Sequence, residues 1–170
     1  ARAINRALAR IVGSEAELGA SVFPTEANAY VWRGWVLGPP PAAPPIPDRA
    51  TAAPRVPLEL RLCASWPLCP PTLCAIGRPP PFHPNVDSST GAVCMDLLRE
   101  QWTPSGGVAA VLLSFRSLLA SPTFDDATSA PANVEASALF LRERAAYARR
   151  LDDSLRRGAA ALDGSLAADC

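Results

Sequence analysis

The clearest repeat of apolar positions in this chain runs through residues 107–120 (GVAAVLLSFRSLLA). There Val108, Val111, Leu112, Phe115, Leu118 and Leu119 recur at steps of three and four. That spacing follows the turn of an α-helix and predicts one with a single face sunk in a core. Residues 2–12 carry a shorter version, with Ile4, Leu8 and either Ile11 or Val12 on one side and Arg2, Arg6 and Arg10 on the other. Residues 132–157 repeat once more and predict one or two helices that bury Leu139, Phe140, Tyr147, Leu151 and Leu155. Elsewhere the pattern is branched, aromatic or alternating. SVF from Ser21, AYVWRGWVL from Ala29, VPLELRLCA from Val56 and LCAI from Leu73 predict four strands. A turn on Glu26-Ala27-Asn28 joins the first two. Trp32 and Trp35 are an odd number of residues apart, so a regular strand puts them on opposite faces.

Residues 39–57 hold eight of the 19 prolines and cannot continue a helix or a sheet interior. They read as an extended, partly polyproline surface loop. Docking of that loop into an aromatic groove on a partner is the other reading, and the plain surface loop is preferred. Composition adds limits. At 170 residues the length suits one domain, with 158–170 an Ala-rich tail. Sixteen basic residues balance 16 acidic ones, so there is no cationic field for nucleic acid or an anionic membrane. No apolar run approaches the roughly 18–20 residues of a membrane helix. The chain opens on Ala1, which leaves a preceding targeting segment open, and a terminal Cys170 is not a prenylation box. Five cysteines without a framework pattern suggest a reducing, cytoplasmic setting. Every basic residue is Arg; there is no Lys.

Chemistry concentrates in residues 83–104, HPNVDSSTGAVCMDLLREQWTP. Pro84 fixes a turn, and the Asn85 amide can donate to a developing oxyanion. Cys94 is a potential nucleophile with no basic side chain before Arg99 and no dedicated base. Such a thiol suits an acyl group that is received and passed on. His83 is the only histidine, and it serves either as a base or as structure; structure is preferred. Cys69 and Cys74 are spaced as C-x4-C, but four zinc ligands cannot be assembled around them. They read as small buried apolar residues, and no metal is expected.

These elements together resemble the active-site region of the ubiquitin-conjugating enzymes. His83-Pro84-Asn85, Gly91 to Asp96, Trp102-Thr103-Pro104 and Val111-Leu112-Leu113-Ser114 occur in that family's order and spacing. The resemblance implies an α+β fold: a four-stranded antiparallel sheet flanked by an N-terminal helix, a central crossover helix and C-terminal helices, over residues 1–157. It implies Cys94 as thioester carrier, Asn85 and Asp126 as its catalytic companions, and His83, Pro84, Asp96 and Trp102 as supports. Arg2, Arg6, Pro67, Leu68, Thr103 and Pro104 would meet the activating enzyme and a ligase of the RING type. Leu113 and Ser117 would face the carried ubiquitin. Trp66 to Pro71 resembles the family's Y-P-F-x-P-P loop with the smaller Leu68 at its third position. The family's connection matching 39–57 is shorter and carries a Gly-Gly that is missing here. No cofactor is implied, since the upstream activating enzyme spends the ATP. The segment from the HPN tripeptide to the cysteine, with Thr90-Gly91, is one residue longer than usual. That is similar to peroxisomal conjugating enzymes, whose partner is a peroxisomal membrane anchor protein, and to chain-forming enzymes with an extra domain; the peroxisomal type is preferred. The alternatives are conjugation of another ubiquitin-like modifier, or a non-catalytic ubiquitin-binding variant, which would lack the cysteine.

Overall fold

The computed structural model describes residues 2–40, 52–124 and 130–166, with the backbone alone for 161–166. Four strands form one antiparallel sheet in chain order: β1 (Ala20–Pro24), β2 (Val31–Leu37), β3 (Arg55–Arg61) and β4 (Thr72–Ala75). The register puts Ala20, Val36 and Val56 in one row and Val22, Leu58 and Ala75 in the next. All six are buried, as are Trp32, Leu60 and Leu73 alongside them. The opposite face carries the row Phe23, Arg33, Glu59 and Cys74. Trp32 faces the core and Trp35 the outer side, where the Arg55 guanidinium lies 4.6 Å above its ring, as the period-two reading expects.

The central helix α3 (Gly107–Ala120) has the predicted bounds and buries all six residues of the predicted stripe. Phe115 is fully enclosed; Phe115→Ala would cost about 3–5 kcal/mol. The N-terminal helix α1 (Arg2–Ala9) buries Ile4, and Ile11 is buried just beyond it while Val12 is exposed. Two short pieces carry too few residues to show a period: α2 (Glu15–Leu18) and a 3-10 turn at Asp96–Leu98.

Three expectations change. The proline-rich segment does not reach residue 57, because β3 begins at Arg55 with Val56 and Pro57 buried. Pro57 is tolerated because it lies beyond the part of β3 paired with β4, while its carbonyl still accepts from the Ile76 N–H at 3.0 Å. Residues 41–51 of that segment lie outside the described residues. Second, Leu139 and Phe140 are only half-buried. Helix α4 (Val134–Arg142) buries the small Ala136 and Ser137 instead, and Phe140 joins Phe124 and Tyr147 in an aromatic cluster at 5.4 and 5.0 Å. Third, helix α5 (Arg144–Leu166) crosses residue 157 without a break. Its Tyr147, Leu151 and Leu155 are buried as predicted.

Two bonds link these helices to the segment that precedes the cysteine. The Phe82 N–H donates to Ser154 Oγ at 2.9 Å, and the Asn133 N–H, at the cap of α4, donates to the Pro84 carbonyl at 3.1 Å.

Candidate active site

His83, Pro84 and Asn85 form a turn at the wall of the core. His83 is fully buried. Its Nδ1 accepts from the Asn85 N–H at 3.1 Å, and its Nε2 lies 2.9 Å from the Leu118 carbonyl of α3. A carbonyl can only accept, so the ring is neutral with its proton on Nε2. Burial pushes the imidazole down to about 4, against the opposing pull of the Leu118 carbonyl. With both nitrogens engaged, His83 is a fixed strut between the helix and the turn.

The chain returns toward this strut through a tight reversal. One oxygen of Asp87 accepts from the Ser89 and Thr90 backbone N–H groups at 3.0 and 2.7 Å and from their hydroxyls at 2.6 and 2.8 Å. The Ser89 hydroxyl first, then the Thr90 contacts, hold this carboxyl well below the usual carboxylate range. Gly91 follows with φ 74°, and any Cβ there would strike the Ala75 carbonyl oxygen. Val86 then bridges Val93, and the Cys94 N–H donates to the Asn85 carbonyl at 2.8 Å. The thiol is therefore set beside Asn85 by backbone alone.

Asn85 spends its side chain on a second segment. Its Nδ2 donates to the Thr123 carbonyl at 2.8 Å, and its Oδ1 accepts from the Thr123 N–H at 3.2 Å. Asn85, Cys94, Thr123, Phe124 and residues 130–132 enclose a cleft of about 50 Å³. Cys94 is free and half-buried there. Arg99 Nη1 approaches its Sγ at 3.9 Å. Asp126 lies outside the described residues. This arrangement supplies a nucleophile and an amide within one small cleft, with a guanidinium reaching the thiol from the exposed Arg99.

A larger groove of about 620 Å³ opens between α1 and the loop after β3. Arg6 and Arg10 line one side; Trp66, Pro67 and Pro104 line the other. Arg2 is exposed on the same helix. Trp102 supports the far wall: its Nε1–H donates to the Pro67 carbonyl at 3.0 Å, and its ring lies 5.3 Å from that of Trp66. Leu68 projects from the loop with 77% of its surface exposed, and Thr103 is exposed nearby in sequence to Pro104. Here the cysteine reading is corrected. Cys69 is half-buried, and its side chain lies against that of Cys63. The loop folds back on itself and brings the two Cα atoms to 6.4 Å, which the sequence spacing alone does not reveal.

Of the other expected residues, Pro84 is buried in the turn, and the Asp96 carbonyl accepts from the Arg99 and Gln101 N–H groups at 2.9 and 3.1 Å. Leu113 and Ser117 are exposed on the outer face of α3. Sequence reasoning passed over Thr123, Asp87 and the approach of Cys63 to Cys69. The run Asp87-Ser88-Ser89-Thr90 carried a turn signal, because a short carboxylate followed by hydroxyl residues satisfies its own backbone.

Comparison with known proteins gives a consistent result. The family model described as "Ubiquitin-conjugating enzyme" matches residues 5–155. The chain is 36% identical over 137 residues to "Ubiquitin-conjugating enzyme E2 2" of Yarrowia lipolytica, covering 81% of this chain and 82% of that protein. It is 32% identical over 143 residues to the protein of the same name from Saccharomyces cerevisiae, covering 84% and 75%. Among solved structures it is similar to the E2 domain of a Toxoplasma gondii ubiquitin conjugating enzyme, with a TM-score of 0.72 at 24% identity over 92% of this chain and 96% of the other. That last likeness concerns the fold.

Proposed function

The chain belongs to the ubiquitin-conjugating enzyme family, and on that premise we propose that Cys94 carries ubiquitin as a thioester between an activating enzyme and an acceptor amine. The Cys94 sulfur attacks the thioester carbonyl presented by the activating enzyme, and that enzyme's thiolate leaves. An amine then attacks the new thioester, loses a proton, and expels the Cys94 thiolate. No bound cofactor takes part, since ATP is spent upstream. The observation that carries this reading is a free, half-buried Cys94 whose N–H is held by Asn85 inside a cleft closed by the Thr123 segment.

Asn85 has two contributions in this scheme. Its amide keeps the Thr123 segment closed over the thiol, and the same Nδ2 carries a second hydrogen able to meet the developing oxyanion. Asp126 orients the incoming amine. Arg6, Pro67, Leu68 and Pro104 line or border the groove that meets the activating enzyme and the ligase. Leu113 and Ser117 face the carried ubiquitin. Assignment to the peroxisomal type rests on the Thr90-Gly91 lengthening alone, and binding to a peroxisomal membrane anchor protein tests it. Among the described residues no helix is long and apolar enough to cross a membrane.

Parallel incubation with ubiquitin and with each ubiquitin-like modifier, each beside its own activating enzyme and ATP, decides the modifier. Ubiquitin is expected to give the adduct. Preference for another modifier would replace ubiquitin in this scheme, and no adduct with any would end the catalytic reading.

A further inference from the structure

The cleft around Cys94 has two unlike sides. Asn85 and Thr123 form the polar one, where side-chain amide and backbone groups bond to each other. Phe124, Ala130, Pro131 and Ala132 form the other, which is apolar. Phe124 is the one large apolar side chain among these lining residues, and 43% of its surface is exposed. Two neighbours hold it there. Thr123, just before it, is bonded to Asn85 through both its N–H and its carbonyl. The Phe124 ring lies 5.4 Å from that of Phe140, which in turn meets the buried Tyr147 edge-on at 5.0 Å. The cleft itself is small. About 50 Å³ gives room for a few water-sized groups. A reacting amine fits that space, but the hydrocarbon stem that carries the amine does not. The stem has to leave over the rim, and the apolar part of that rim is where it sheds the most water-exposed surface.

We infer that Phe124 is an acceptor-binding residue: its exposed face receives the aliphatic stem of the incoming primary amine and so aims the nitrogen at the Cys94 thioester. The inference rests on the reading of Cys94 as a thioester carrier and adds to it a preference among acceptors. In the step itself the amine nitrogen bonds to the thioester carbon and the carbon–sulfur bond breaks. The electron pair of that bond leaves with the Cys94 sulfur, and the amine gives its extra proton to water. Phe124 exchanges no proton; it holds the stem and shortens the search of the nitrogen for the carbonyl. An amine without a stem gains nothing from it.

The test uses the full chain charged with ubiquitin, freed of activating enzyme and ATP, and mixed with n-pentylamine, free lysine or methylamine at one pH. Each discharge rate is divided by the rate of the same amine on a ubiquitin thioester of a small thiol, which removes the amine's own reactivity. After that division, pentylamine and lysine are expected to exceed methylamine by about three- to tenfold, the worth of one or two buried methylene groups. Phe124→Ala should erase the advantage, and Phe124→Leu, which keeps an apolar surface, should retain most of it. Should Phe124→Ala fail to fold, Phe124→Asn takes its place with the same expected loss. Equal normalised rates for all three amines on the unaltered protein would overturn the inference. So would a loss in Phe124→Ala shared equally by the three amines, which is what a merely loosened segment would give. Failure of the protein to form any ubiquitin thioester would overturn the thioester reading itself, and this inference with it.

Discussion

Two regions of the molecule, the surroundings of the Cys94 thiol and the groove beside α1, are held by different means. Around the thiol, residues distant in sequence are crossed by matched polar bonds: His83 to α3, Asn85 to Thr123, and Pro84 to Asn133. Around the groove, a tryptophan pair supports a loop whose tip, Leu68, is left in solvent. The first arrangement holds the neighbours of the thiol by directional bonds, as the proposed acyl transfer would need. The second leaves the apolar Leu68 side chain uncovered. Changes in the first region should therefore act on chemistry and folding. Changes in the second should act on docking and leave folding nearly untouched.

The largest expected effect breaks the first region at its centre. Cys94→Ser should abolish turnover and hold ubiquitin as an oxyester that survives reductant, which a gel run with and without dithiothreitol would reveal. Next, Asn85→Ala removes the three bonds to Thr123 together with the candidate oxyanion donor. Discharge to free lysine should slow by about 10²–10³, equivalent to about 3–4 kcal/mol, while loading stays nearly intact. Equal damage to both steps would assign Asn85 a purely structural role.

The third prediction concerns the strut. The native His83 holds off its proton to about 4, against an ordinary value of 6.5. Below 6.5 the unfolded chain takes up a proton that the native state refuses, so stability is lost as the pH falls through that window. Urea unfolding should show a loss of about 2 kcal/mol between pH 7 and 5. A flat profile there would contradict the buried neutral ring. The smallest expected effect comes from the groove. Leu68→Ala should change unfolding stability by less than about 0.5 kcal/mol, as befits an exposed side chain. The same substitution should raise the concentration for half-maximal loading or for ligase response. A large loss of stability would erase the contrast between the two regions.

Much of this arrangement could be read from the chain because it is local. Helix α3 follows from its stripe, the strands from their alternation, and the turn from Pro84 beside Asn85. His83 as structure was preferred from the family resemblance and its place beside Asn85 and two prolines. Part of what escaped depends on distance along the chain, while Asp87 with Ser89 and Thr90, and the approach of Cys63 to Cys69, are local. Nothing near Asn85 points to Thr123, 38 residues away. The approach of Cys63 to Cys69 depends on how a loop folds back. Leu139 and Phe140 fit a helical stripe, yet α4 lies at the surface and meets its neighbours through smaller residues, so the pattern overstated their burial.

The central claim, a ubiquitin thioester on Cys94, has one direct test. The chain, with its N-terminal amine blocked, is incubated with activating enzyme, ATP and ubiquitin, and its intact mass is taken before and after reductant. With no lysine in the sequence and arginine too basic to act as a nucleophile, thiols are the only acceptors of consequence. A single ubiquitin adduct is predicted, removed completely by reductant and absent from Cys94→Ala. No adduct, an adduct that Cys94→Ala retains, or one that resists reductant would contradict the account.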